Sequence, residues 1–338
     1  MDLLLKTELQ KLNIYNWGIL MEIKKLAQEI IEGRRLKRNE DLSFFSFVDL
    51  NELCEGADFI RKSLCGDDIN LCSIINGRSG KCSENCKFCA QSSHHQTGVE
   101  EYDFLDSEKI VDDCKKHAVK GVHRYSIVTA GRELKGNDLK KACDTYKKMN
   151  DECNIDLCAS HGLLSEEAFI ALKESGVSMY HANIETSKRN FPNICTTHTY
   201  EDKINSIKLA QQTGFKVCSG GIIGMGETFE DRLDMALSLS ELKIESIPIN
   251  ALMPIKGTAY ENAKHLTENE ILRTVALFRF INPTARIRLA AGRSLMVDSG
   301  RKAFRSGANA TITGDLLTTS GNNIDQDKEM LIGMGFSI

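Results

Sequence analysis

Short apolar or β-branched runs recur near residues 69–76, 123–130, 155–161, 178–185, 216–224, 246–253, 286–292 and 310–317. Their lengths suit strands, and the stretches between them carry apolar residues at helical spacing. Thr267 and Glu270 have the spacing of a capping box ahead of Ile271, Val275 and Phe278, which share one helix face. Gly176 and Gly214 fall where helices end before the next strand. Eight strand-then-helix units predict an α/β fold, a (β/α)₈ barrel of the TIM type; an open doubly wound sheet has the same alternation and is the alternative. Residues 1–66 read as an N-terminal helical extension, with Leu26, Ile30 and Ile31 on one face of a helix over 23–36. The barrel takes residues 67–320, and 321–338 form a tail with a short helix. Residues 1–20 read as an additional leading segment ahead of Met21.

Strand side chains alternate faces with period two, so each strand divides into two sets. One set holds Tyr125 and Ile127, Leu157 and Ala159, Tyr180, Ala182 and Ile184, and Ile287 and Leu289, which suits packing beneath helices. The other holds Arg124 and Ser126; Asp156, Cys158 and Ser160; His181, Asn183 and Glu185; Lys216 and Cys218; Asn250; Arg286 and Arg288. A barrel interior is ordinarily filled by branched apolar residues. One lined with thiols, amides and charges is expected to hold something polar.

Composition adds little until the cysteines. Hydrophobic residues make up 41% and charged ones 27%, values of a globular protein with a substantial core. The net charge of -4 gives no reason to expect nucleic acid or a membrane surface as partner. No apolar run approaches a membrane span and the N-terminus lacks the apolar stretch of a secretory signal, so a cytoplasmic location is expected. Twelve cysteines are many for a reducing compartment, where clusters point to metal and scattered ones are small buried hydrophobes. Cys54, Cys65, Cys114, Cys143 and Cys153 read as the scattered kind, and Cys72, within the first apolar run, reads as core.

The strongest motif is Cys82-Ser-Glu-Asn-Cys86-Lys-Phe-Cys89, in the loop after the first strand. Thiolates bind iron–sulfur clusters and zinc alike. Structural zinc closes with four ligands, and His94 and His95 could complete such a set. Three thiolates on a four-iron cluster instead leave one iron open, where the amino and carboxylate groups of S-adenosylmethionine (SAM) can chelate.

This triplet, with Phe88 before its last cysteine, resembles the radical SAM superfamily, whose [4Fe-4S] cluster cleaves SAM to a 5′-deoxyadenosyl radical. The run Gly220-Gly-Ile-Ile-Gly-Met-Gly-Glu227 is similar to the superfamily's adenine-contacting motif, which implicates Gly220, Ile222 and Gly224. Further stretches resemble the biotin synthases: Leu71 to Gly77, Lys81 to Gln91, Asn193 to Tyr200, Lys216 to Gly221, Pro248 to Leu252, Arg288 to Arg293 and Leu316 to Thr319. Enzymes of that family insert sulfur between two saturated carbons of dethiobiotin, with two SAM molecules per product and the sulfur drawn from a second cluster. The resemblance implies that Asn183 and Glu185 hold the SAM ribose, with Asn183 also reaching the substrate. It implies that Asn250 pairs with the ureido ring and that Thr318 and Thr319 lie over the carboxylate tail. A flavodoxin- or ferredoxin-type electron donor and a homodimer are expected with it.

One departure concerns the second cluster. Familiar members bind a [2Fe-2S] cluster through three cysteines and an arginine on strands two, three, five and seven. Cys158, Cys218 and Arg288 match, but Ser126 occupies the strand-two position, and a serine oxygen is a harder donor than thiolate. Cys195, just past strand four, is the replacement expected, so that Cys158, Cys195 and Cys218 bind an auxiliary cluster with Arg288, and a four-iron cluster becomes compatible. Two rival readings remain: another radical SAM barrel, of the hydrogenase-maturation or methylornithine type, and a non-catalytic zinc or cluster carrier.

Overall fold

Parallel pairing runs unbroken around the molecule in the computed structural model, which describes residues 22–317 and 321–338. The strands are β1 (Asn70–Arg78), β2 (Arg124–Thr129), β3 (Asp156–Ser160), β4 (Met179–His181), β5 (Lys216–Cys218), β6 (Gly221–Ile223), β7 (Ser246–Ala251), β8 (Arg286–Leu289) and β9 (Ala310–Ile312). Their order is β5-β4-β3-β2-β1-β9-β8-β7-β6, and a β5–β7 pairing through Cys218 and Ser246 closes the ring. β5 and β6 are two halves of one barrel strand, so the closed barrel has eight, in the places the apolar runs predict. The interruption has a steric cause: a Cβ at Gly220 would lie 1.9 Å from the Pro248 carbonyl oxygen. The open-sheet alternative is excluded.

Helices occupy residues 22–31 (α1), Leu50–Cys65 (α2), Ser107–Val119 (α3), Gly136–Glu152 (α4), Glu166–Glu174 (α5), Phe191–Ile194 (α6), Tyr200–Gln212 (α7), Phe229–Glu241 (α8), Glu268–Ile281 (α9), Arg301–Phe304 (α10) and Ile324–Gly333 (α11). The leading 20 residues fall outside the described range. The first described helix stops at residue 31 instead of reaching Leu36, because Gly33 adopts φ +116°, a conformation that ends a helix. The Thr267 capping box is formed as the spacing predicts, and Gly176 and Gly214 follow their helices at φ +91° and +83°. α11 packs back on the barrel, with Lys328 bonding the Lys120 carbonyl and the Ser337 N–H donating to Asp67 O. No helix among the described residues is long and apolar enough to cross a membrane.

The two side-chain sets separate as period two requires. Tyr125, Ile127, Leu157, Ala159, Tyr180 and Ile287 are at most 2% exposed and form the layer under the helices. Each large side chain buried there contributes about 1.5–3 kcal/mol. Three residues of the polar set depart. Asp156, Lys216 and Arg286 begin their strands, so they reach the barrel's outer rim and pair with Arg124, Glu245 and Asp68.

Candidate active site

Within the barrel lies a chamber of about 420 Å³, a size that suits a small-molecule ligand. Its mouth is at the C-terminal ends of the strands, where the loop carrying the cysteine triplet folds over. Cys82, Cys86 and Cys89 all line it, with Phe88 beside them.

The loop holds its shape through its own backbone. The Cys82 N–H donates to Gln91 O at 3.1 Å, Ser93 N–H to Cys82 O at 2.8 Å, and Cys89 N–H to Cys86 O at 3.0 Å. The His94 and His95 rings bond the carbonyls of Ser83 and Cys86, at 3.2 and 3.1 Å. These bonds hold both rings against the loop, and neither ring joins a close group of metal-ligating side chains among the described residues. Burial pushes the Cys89 thiol up to about 11. Such a thiol stays protonated in neutral solution unless a metal takes the proton's place.

Across the chamber, Asn183 accepts a hydrogen bond from Gly220 N–H at 3.0 Å, and Glu185 sits 3.4 Å from the Lys203 ammonium. Glu185 is held at φ +66°, and its carbonyl accepts the Ile222 N–H at 2.8 Å. A non-glycine residue in that region costs of order 1–3 kcal/mol, and such strain gathers at ligand sites. Asn250 donates to Gly221 O and accepts from Ala291 N–H, which leaves one N–H and one lone pair for a ligand. Thr318 and Thr319 lie outside the described residues. Leu316, Leu317, Met253 and Ile255 make an apolar rim around the mouth.

Deeper in the lumen a second thiol group gathers. Cys158, Cys218 and Arg288 all face the chamber, as the side-chain alternation predicts. Cys195 does not join them. Its sulfur lies 3.7 Å from that of Cys86, in the loop after α6, where it also meets His198 Nδ1 at 3.3 Å and Asn85 Oδ1 at 3.4 Å. The reason is local. Asn85 accepts the N–H groups of Thr196 and Thr197, and Glu84 accepts from the Thr197 hydroxyl at 2.9 Å, so that loop is tied to the triplet. The expected Cys158–Cys195–Cys218 triangle is therefore not assembled. A cysteine read as core enters the chamber instead. Cys72, on β1, faces inward with Ile74, while Leu71 and Ser73 point outward.

Burial pushes the Cys158 thiol up to about 12, with a further push from the nearby Cys72, and it raises Cys72 and Cys218 as well. The Arg288 charge opposes the shift at both Cys72 and Cys218. Arg288 itself is tied to Thr311 O at 2.9 Å and to Asn70 Oδ1 at 2.7 Å. Two buried groups in this region, Ser126 Oγ and Arg124 Nη1, have no hydrogen-bond partner among the described residues. Unsatisfied polar atoms are costly in a native structure and mark a missing acceptor. Soft thiols, two guanidiniums and orphaned donors fit a sulfide-bridged iron cluster, whose sulfides accept hydrogen bonds. The other cysteines serve packing: Cys114, Cys143 and Cys153 are core, and Cys54 and Cys65 are partly buried on α2.

The sequence marks Glu227 only as the end of the glycine run and assigns it no role. Its carboxylate accepts the N–H groups of Gly224 and Met225, both at 2.7 Å, and pairs with Arg232 at 2.9 Å. It shapes the turn after β6. A glutamate closing a glycine-rich run was the available signal.

Comparison with known proteins identifies the family. The Radical SAM superfamily profile matches residues 78–239, and that of the Biotin and Thiamin Synthesis associated domain matches 248–337. Biotin synthase of Alkaliphilus metalliredigens is 82% identical over 94% of this chain and 100% of its own length. Biotin synthase of Clostridium beijerinckii is 67% identical over the same shares. Among solved structures, methylornithine synthase (PylB) superposes with a TM-score of 0.81 at 19% identity, covering 92% of this chain and 96% of its own. The FeFe-hydrogenase maturase HydG from Carboxydothermus hydrogenoformans gives 0.78 at 17%, covering 98% and 82%. At such identities these two establish the barrel and nothing finer, so the rival enzymes share this chain's architecture. With its triplet loop over a thiol-lined lumen and these full-length relatives, the chain belongs to the biotin synthase family of the radical SAM superfamily.

Proposed function

We infer that this chain converts dethiobiotin to biotin by radical sulfur insertion. The observation that carries the reading is the presence of two thiol sets in one chamber, one at its mouth and one in its depth. When bound, the first cluster would supply the electron that splits SAM to methionine and a 5′-deoxyadenosyl radical, and the second would supply the inserted sulfur.

The chain's own residues would do the positioning. Cys82, Cys86 and Cys89 would hold the [4Fe-4S] cluster that binds SAM. Asn183 and Glu185 orient the SAM ribose. Gly220, Ile222 and Gly224 border the adenine, where a side chain at Gly220 would strike the Pro248 carbonyl. Asn250 would present its remaining donor and acceptor to the ureido ring, and the rim of Leu316, Leu317 and Met253 would keep water out of the chamber. Cys158, Cys218 and Arg288 belong to the auxiliary cluster. Electrons would come from a flavodoxin- or ferredoxin-type protein, and the working form is a cytoplasmic homodimer.

The test is anaerobic. Reconstituted protein with SAM, dethiobiotin and a strong reductant is expected to yield 5′-deoxyadenosine and biotin. Cys86→Ala is expected to yield neither. Zinc in the triplet of oxygen-free protein, or no 5′-deoxyadenosine from the wild type, overturns the reading.

A further inference from the structure

We propose that Cys72, on β1, is the third thiolate of the auxiliary cluster, replacing the β2 thiolate whose position Ser126 occupies. The proposal rests on the reading that this chamber holds such a cluster, and it specifies the ligand set.

Three observations carry it. First, Cys72, Cys158 and Cys218 are the cysteines of the deep chamber among the described residues, and all three are at least nine-tenths buried. Second, Cys195 is committed elsewhere, its sulfur beside Cys86 and its loop tied to Asn85. Third, Ser126 is 4% exposed and its Oγ has no partner among the described residues, so it faces the chamber as a spare donor. Arg124, the register partner of Cys72 on β2, likewise carries a buried N–H without an acceptor.

The register shows what the exchange does. Ser126 pairs with Ile74, so Cys72 lies two residues, about 7 Å along the strand, toward the barrel floor. The ligand set therefore shifts downward and one strand sideways, leaving Ser126 Oγ and Arg124 Nη1 to donate to sulfides. Ligation forms three Fe–S bonds and releases three thiol protons to solvent. No change of oxidation state is needed.

The experiment is iron and sulfide counting with Mössbauer spectroscopy on anaerobically reconstituted full-length protein. Wild type is expected to hold about six or eight irons. Cys72→Ala should fall to about four, retaining the spectrum of the first cluster. Cys195→Ala should keep the wild-type load. Adding S126C to C72A returns a thiolate to β2 and should restore auxiliary iron, which a packing role for Cys72 does not predict. Cys72→Ser, nearly isosteric, repeats the reading should the alanine variant fold poorly. A wild-type iron load and spectrum in both Cys72 variants overturns the proposal. If Cys158→Ala also keeps the full load, the chamber holds no such cluster and the broader reading falls with it.

Discussion

Glu227 does at the residue scale what a backbone alone cannot. Two N–H groups of a tight turn point at its carboxylate, and Arg232 balances the charge. Hydrogen bonds to a charged group are worth about 1.5–3 kcal/mol. Glu227→Gln keeps the shape and removes the charge, so it is expected to weaken SAM binding about tenfold. Equilibrium dialysis on the reconstituted protein reads this, and unchanged affinity would show that the turn holds without the charge. The two cysteines that moved between sequence and structure teach a related lesson. Cys72 and Ile74, the β1 residues that line the chamber, both count as apolar, so hydropathy at these two positions does not tell a lumen residue from a core one. Cys195 lies in a loop whose path is set by hydrogen bonds that Thr196 and Thr197 donate to Asn85 and Glu84, over one hundred residues earlier in the chain.

Helix entry at the active face is controlled at the element scale by three capping boxes, Thr199 with Asp202, Thr228 with Asp231 and Thr267 with Glu270. Each satisfies helix donors that burial would otherwise leave unpaired. Thr267→Ala should cost about 1 kcal/mol in urea-unfolding free energy, with 5′-deoxyadenosine formation intact. Thr199 follows directly on the Cys195–His198 loop, so Thr199→Ala should cost a similar amount and also loosen the clamp on the triplet. Faster loss of the first cluster's absorbance under chelator would register it. Equal cluster lifetimes in the two variants would separate capping from cluster retention.

The whole molecule carries a pH dependence that originates in its core. His161 is fully buried between Thr129 and Tyr146, bonded at 2.9 and 3.0 Å. Burial first, and then the Arg78 charge, push its pKa down to about 3. The folded state therefore keeps the neutral ring, while the unfolded chain takes up a proton near pH 6.5. The stability from this residue is complete above that pH and is lost as pH falls toward 3, at up to about 1.4 kcal/mol per pH unit. Urea unfolding of wild type and His161→Gln at pH 7.5 and 5.5 checks the sign: the variant should be less stable at both, with a flatter dependence. A steeper dependence in the variant would contradict it.

By itself the sequence determined the strand–helix alternation of the barrel, the triplet in the loop after its first strand and the thiols, amides and charges that several strands turn into its lumen. Those features rest on local rules: strand-length apolar runs, alternation with period two, cap spacing and cysteines seven residues apart at most. Tertiary structure decided which thiols share a space. It turned Cys72 inward, drew Cys195 against the triplet loop beside Cys86, and sent Asp156, Lys216 and Arg286 to the rim. The reason is geometric. A ligand set is a meeting of side chains from strands far apart in sequence, and strand register, barrel closure and loop docking determine which of them meet.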